Sequence, residues 1–440
     1  LDNRRFVVLS TKARKYILCP LILLIVLIAT YSLAKAIVFI PQSESLNERI
    51  NYAVFIIEDR EGLYPHPSST AGSPGMLDNF TDRHIIRLSQ GNPDLSPIEN
   101  AFYGRGSRYW HGFVVFVRPM LMLVGYGTIR YVNMFHIVLL TIGVSIMLQK
   151  KLGTPYAFLM GFVLSAWHFV IFPHSLTYSL AFYVMMYAII LIFMLNKWLV
   201  CNEGRFVLFF LLIGSFINFI DFLTFPLTTL GIPLTICHIL RLKYEENIAK
   251  RNIWFMFLGS LYWGIGYVLT WVSKWVLSYI VGTIPSFDGI INQIRFRVSG
   301  DIHWPLSRPQ MLRTNFEYMY PDILITALAI IFALLLLIII KNHKSLKYII
   351  NSAPILFVCV YPYAWYMVFA NHSQIHAWFT YRIQGITIFV LFAFMLDCLP
   401  NGLNMKNLLS SVNNRFDLRK WYLNLSRSNS VPLKKASRRK

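Results

Sequence analysis

The chain is predicted to be an all-α polytopic membrane protein, and three observations predict it. Hydrophobic residues make up 56% of the 440 residues and charged residues only 14%, against about 45–50% and about 25% in soluble globular domains. The apolar residues, 34 Phe, 24 Tyr and 11 Trp among them, arrive in long uninterrupted blocks, which a core with alternating polar faces does not need. The net charge of +21 is distributed loop by loop, as membrane topology requires. A water-soluble enzyme is excluded, and nucleic acid is not needed to explain the charge.

A spanning helix needs about 20 apolar residues to cross about 30 Å of hydrocarbon at about 1.5 Å per residue. Ten blocks qualify, at about 16–40, 130–149, 154–172, 177–197, 206–222, 226–241, 253–275, 322–340, 349–370 and 379–398. An even number puts both termini on one side. The first block follows Arg4, Arg5, Lys12, Arg14 and Lys15, but it is too long for a signal peptide and lacks a small-x-small cleavage site, so it reads as a retained anchor. The chain therefore divides into a basic cytoplasmic N-terminus (1–15), a multi-span domain (16–398) and a basic cytoplasmic tail (399–440).

Basic residues check this topology independently. Segments 1–15, 150–153, 197–205, 241–252, 341–348 and 399–440 hold 26 of the 41 Lys and Arg but only five acids, which accounts for the whole excess of +21. That is a positive-inside signature. The two long outer segments, about 41–129 and 276–321, hold eleven basic residues, all Arg. Arg offers a planar fork that matches phosphate oxygens, whereas Lys serves as a simple topological charge; pairing with outer Asp and Glu is the alternative use. The tail ends in Lys434, Lys435, Arg438, Arg439 and Lys440 and is expected to lie on anionic headgroups. The five cysteines sit in or beside spans or on the inner side, with no C-x-x-C spacing, so neither an external disulfide framework nor a metal site is predicted.

Loops as long as the two outer ones are functional or disordered, and these are too aromatic to be disordered. The run Tyr109–Pro119 is short for a span and bracketed by arginines, so it reads as a helix lying on or dipping into the outer leaflet. In Asp78-Asn79-Phe80-Thr81-Asp82, after the Pro74-Gly75 turn, two carboxylates at i, i+4 share one helix face. Such a face serves as a base toward a hydroxyl or binds a cation. The structural alternative makes Asp78 an N-cap and Asp82 a solvated charge. Asn79-Phe80-Thr81 also forms a glycosylation sequon.

Further along, His372 and His376 are followed by Arg382 at the boundary of the last span, where charge is expensive to bury. Hydrogen bonding to a lipid phosphate is favoured there over metal ligation, because no third ligand is near in sequence. Asp221, between two uncharged spans, needs either an arginine partner or a capping role ahead of Pro226. His174 is read as an interface histidine. Arg295, Arg297, His303, Trp304, Arg308 and Arg313, with Arg105, Arg108 and Arg118, form a basic and aromatic surface at headgroup depth, where an aromatic belt is also expected. No Walker-type phosphate cradle occurs on the inner side.

This arrangement resembles the GT-C superfamily of integral-membrane glycosyltransferases, over about residues 16–398. It also looks like bacterial membrane proteins of surface-polysaccharide systems, in the runs Leu77-Asp78-Asn79-Phe80-Thr81-Asp82, Ser107-Arg108-Tyr109-Trp110-His111-Gly112 and Phe379-Thr380-Tyr381-Arg382. The resemblance implies an inverting transfer of a sugar from a polyprenyl-phosphate donor, as co-substrate, to a glycan or lipid acceptor outside a bacterial plasma membrane. It places the catalytic acid on Asp78 or Asp82, ahead of Glu44, Glu58 and Asp59. Lipid-phosphate contacts fall to Arg382, His372 and His376, with Arg108 or Arg118. Trp110, His111, Asp221 and Tyr381 are supporting residues, and a divalent cation is an optional cofactor. A flippase or transporter of a lipid-linked or anionic solute, and a polysaccharide polymerase or ligase, are the alternatives.

Overall fold

The computed structural model describes residues 12–41, 44–65, 73–104, 108–244 and 249–400, without the side chains of 249–251. The basic N-terminal stretch up to residue 11, Arg105 and the tail from residue 401 lie outside the described residues. Among the described residues there is no strand, only one isolated bridge between Gly300 and Pro305. Among the described residues eight helices are long and apolar enough to cross a membrane: α1 (Arg14–Val38), α6 (Tyr126–Lys151), α8 (Leu176–Val200), α9 (Glu203–Ile220), α11 (Ala249–Ile280, apolar from Asn252), α14 (Asp322–Lys341), α15 (Leu346–Val368) and α17 (Ala377–Cys398). The fold is that of an all-α, multi-pass membrane protein.

Two of the ten predicted blocks form shorter helices. The block at 154–172 gives α7 (Thr154–Ala166), 13 residues and so about 20 Å long; His168 then enters the left-handed region at φ 54° and the chain continues as a 3-10 turn, Phe169–His174. The block at 226–241 gives α10 (Thr228–Tyr244), 17 residues, buried from Thr228 through Leu242. A helix apolar all round with no solvent face belongs inside a bundle.

Packing follows residue size. Helices α9 and α11 approach backbone to backbone, Gly214 lying against the Trp263 carbonyl and Gly266 against the Leu211 carbonyl. Small residues at such crossings are the usual means of close helix approach in lipid. By contrast, α14 has a mean hydropathy of 3.4 and buries no residue in the bundle, as expected of a helix solvated by hydrocarbon on most sides.

The two ends of the bundle differ chemically. At one end the lysine-bearing connections meet: Lys15 pairs with Glu203 at 2.7 Å, Lys243 donates to the Lys151 carbonyl at 3.0 Å and Lys344 pairs with Asp397 at 3.2 Å. At the other end the two long loops fold into surface helices α2 (Glu44–Phe55), α3 (Asn79–Leu88), α4 (Pro97–Phe102), α5 (Val114–Leu123), α12 (Asp288–Ser299) and α13 (Arg308–Met319). Helix α5 has ten residues with Arg118 and Pro119 inside it, too short to span. A core of Phe39, Ile50, Ile57, Ile85, Ile86, Phe113 and Leu121 holds the first group together.

Cationic side chains pin this loop layer through backbone carbonyls. Lys35 of α1 donates to the carbonyls of Ala101 (2.5 Å) and Trp110 (2.6 Å), and Lys274 of α11 to that of Phe102 (2.7 Å). Each ammonium thereby satisfies carbonyls that burial would otherwise leave without donors.

Candidate functional site

Helix α3 begins where the sequence suggests, with Asp78 as its N-cap. The Asp78 carboxylate accepts from the Thr81 backbone N–H (3.0 Å) and hydroxyl (2.8 Å), satisfying an orphan donor of the first turn. It is 2% exposed, and burial pushes its pKa up to about 6, with the nearby Asp82 charge adding to the rise. The Trp378 indole faces the same carboxylate and works against that rise.

Asp82 lies one turn on and is turned to a different task. Its carboxylate accepts from the backbone N–H groups of Leu176 (2.9 Å) and Thr177 (2.8 Å) and from the Thr177 hydroxyl (2.5 Å), at the start of α8. A buried acid at a helix N-terminus is stabilised by the exposed N–H groups and the positive end of the dipole. Instead of a solvated charge, Asp82 is the bolt between α3 and α8. Asn79, the sequon asparagine, is wholly buried, its amide donating to Glu61 and to the Gly62 carbonyl at 3.0 Å each.

Three of the arginine and tyrosine candidates are enclosed by protein. Arg382 is fully buried and donates to the carbonyls of Trp167 (2.9 Å), Trp378 (2.9 Å) and Pro74 (3.3 Å), under the ring of Tyr178. Arg118 is equally buried and binds the carbonyls of Val38, Pro41, Ser89 and Gln90 at 2.6–2.9 Å, joining the end of α1 to the end of α3. Tyr381 sets its hydroxyl 3.1 Å from the Trp167 carbonyl and 3.0 Å from His168 Nδ1. Trp110 donates to the Thr270 carbonyl at 2.6 Å. These four hold the loop layer to the bundle.

His372 and His376 are brought together, by an arginine from the other long loop. Arg297 Nη1 lies 2.9 Å from His372 Nδ1 and 2.9 Å from His376 Nε2. His372 Nε2 lies 2.8 Å from the Leu223 carbonyl, so Nε2 carries the proton and Nδ1 accepts. Burial, followed by the Arg297 charge, drives both imidazoles to low pKa values, His376 to about 3, so both are neutral acceptors. This leaves His376 Nδ1 and Arg297 Nε as buried nitrogens without partners. Arg108 bonds Gln293 of α12, its charge close enough to Arg297 to be felt there.

Asp221 reaches this cluster indirectly. Among the described residues it pairs with no arginine; its carboxylate accepts from the Thr224 backbone N–H (2.8 Å) and hydroxyl (2.5 Å), and burial pushes its pKa up to about 6. The turn so closed holds Leu223 at φ 69°, an unfavourable backbone for leucine, and aims its carbonyl at His372.

The two groups form one row. Trp378 packs edge-on against His376 with ring centroids 5.1 Å apart and against Tyr64 at 5.8 Å, while the Asp78 charge acts on the Tyr64 hydroxyl. Asp78, Trp378, His376, Arg297 and His372 thus follow one another across the loop end. An open cavity of about 680 Å³ on α12 and its following turn is lined by Gln293, Arg295, Phe296, Asp301, His303 and Trp304 and contains none of the row's residues. A cavity of about 720 Å³ with largely apolar walls opens at the lysine end, between α7, α14 and α17, and contains none of these residues. Among the described residues no three of His, Cys, Asp and Glu converge as a metal set. Comparison of the chain with protein-family models, with curated proteins and with solved structures finds no match.

Proposed function

We propose that the protein is a multi-pass glycosyltransferase of a bacterial plasma membrane, transferring a sugar from a polyprenyl-phosphate donor to a glycan or lipid acceptor on the outer face. In this reading α7 and α10 complete ten membrane crossings, both termini are cytoplasmic, and the loop end faces outward. The reading rests on one observation above others: Asp78, a carboxylate with a pKa near 6, shares a row with an Arg297–His372–His376 cluster that has two unpartnered buried nitrogens.

The acceptor hydroxyl oxygen attacks the anomeric carbon of the donor sugar and its proton passes to Asp78. The new glycosidic C–O bond forms as the C–O bond to phosphate breaks, with inversion, and polyprenyl phosphate leaves. Charge developing on that phosphate falls to Arg297, whose fork suits phosphate oxygens, to the His376 Nδ1–H and to Arg108. Arg382 and Arg118 act by fixing the loops that present these groups. Trp378 faces Asp78 and must swing aside for the acceptor.

The test is transfer of label from radiolabelled polyprenyl-phosphate hexoses to a membrane-extract acceptor by the purified protein in lipid. A labelled product distinct from the donor supports the reading. Label that stays on the lipid and appears on the opposite leaflet of proteoliposomes replaces it with a flippase.

A further inference from the structure

On the opposite flank of α3 from the Asp82 anchor, Arg83, His84, Arg87 and Leu88 form one wall of a cavity of about 410 Å³, closed by Tyr103 and Gly104 after α4. That volume lies within the range of about 300–1,000 Å³ usual for small-molecule sites. A smaller cavity of about 60 Å³ shares Arg87, Leu88 and Tyr103 with it and adds Lys35 and His111. Neither lining contains an Asp or Glu. Glu58, which is not part of either lining, pairs with Arg83 and, at 3.6 Å, with Arg87.

His111 is built in at some cost. Its backbone sits at φ 55°, its side chain is 4% exposed, and its Nδ1 has no hydrogen-bond partner. The ring edge lies against Gly104, whose own φ is 150°; a Cβ there would stand 3.1 Å from His111 Nδ1. Burial and the charges of Lys35, Lys274, His84 and Arg108 hold the imidazole well below its usual pKa. A buried, unsatisfied imidazole beside two arginines that share one carboxylate, Glu58, and a lysine held only by carbonyls leaves this place with a net positive charge, which suits a negatively charged group.

We propose that this cavity is an oxyanion site, which takes a carboxylate or phosphate group on a sugar-sized ligand between Arg83 and Arg87, with Lys35 and His111 lining the adjoining smaller cavity that shares Arg87. It is separate from the Arg297 cluster and does not depend on the catalytic reading.

The full chain in nanodiscs of neutral phosphatidylcholine is titrated at low salt with inorganic phosphate and with glucuronate, reading thermal stabilisation. Saturable stabilisation is expected, weakened about tenfold by Arg87→Gln, the loss of one charge-assisted contact, and left unchanged by Arg313→Gln on exposed α13. His111→Gln is expected to weaken it too; if that variant fails to fold, Arg87→Gln carries the test, because the Arg87 side chain is 53% exposed. Absence of saturation, or equal effects of Arg87→Gln and Arg313→Gln, overturns the proposal. Repeating the titration with phosphatidic acid in the disc separates sources: loss of phosphate binding identifies a lipid headgroup, and unchanged binding a soluble ligand, each consistent with an oxyanion site.

Discussion

Arg297 and His372 meet at 2.9 Å, guanidinium Nη1 against a neutral imidazole Nδ1, because the Leu223 carbonyl takes the other ring proton. A cation held by neutral acceptors keeps its full charge for a ligand, whereas a carboxylate partner would cancel it. That is the physical ground for giving the donor phosphate to Arg297.

Arg297→Lys is therefore expected to weaken donor binding about tenfold or more, since an ammonium cannot bridge two imidazoles and a phosphate as a fork does. Binding of a polyprenyl-phosphate sugar to variant and wild type in the same nanodiscs measures it. Unchanged affinity would remove Arg297 from the phosphate site.

Arg382→Gln and Arg118→Gln are expected to act on stability. Each orphans buried carbonyls, at about 1–3 kcal/mol per unsatisfied group, so the melting temperature should fall by several degrees or expression should fail. The folded fraction should bind donor as the wild type does; a selective loss of donor affinity at full stability would restore these arginines to the phosphate site.

The two carboxylates of α3 should separate cleanly. Asp82→Asn removes the charge from a buried carboxylate that accepts with both oxygens and sets an amide NH2 against a donor at the start of α8, at about 1.5–3 kcal/mol per hydrogen bond to a charged group, and should lower the melting temperature. Asp78→Asn should cost little stability while abolishing turnover. Equal loss of stability in both would leave Asp78 as a cap only.

The pH dependence follows from the direction of the Asp78 shift. Its folded pKa of about 6 lies above the ordinary 3.8, so the folded state holds this proton more tightly than the unfolded one. Its contribution to stability is present below pH 3.8 and is lost as pH rises through about 6. A base must be unprotonated, so turnover should fall about tenfold per pH unit below 6. A rate profile flat from pH 5 to 7 would exclude Asp78 as the base.

Hydropathy and loop charge made the membrane class legible because they are local properties, and the cap at Asp78 was legible because its partner Thr81 is three residues away. Partners distant in sequence were not. Nothing near Asp82 points to Leu176, nothing near Arg382 to the Trp167 and Pro74 carbonyls, and His372 and His376 gain Arg297 only through the packing of α12 on α16 (Ala370–Ile375). Lys35 and Lys274 lie toward span ends, and both are buried on carbonyls of the loop layer. The early end of α7 was not legible either, because the apolar run continues through Val170 while the backbone turns at His168.

The most direct test of the catalytic assignment is single-turnover transfer from a labelled polyprenyl-phosphate sugar, comparing wild type with Asp78→Asn at pH 7 in the same lipid and at matched melting temperature. The account predicts product with the wild type and a loss of at least about a hundredfold in rate with Asp78→Asn, the usual scale of a general base, with donor binding intact. Product formed at the wild-type rate by Asp78→Asn would contradict it.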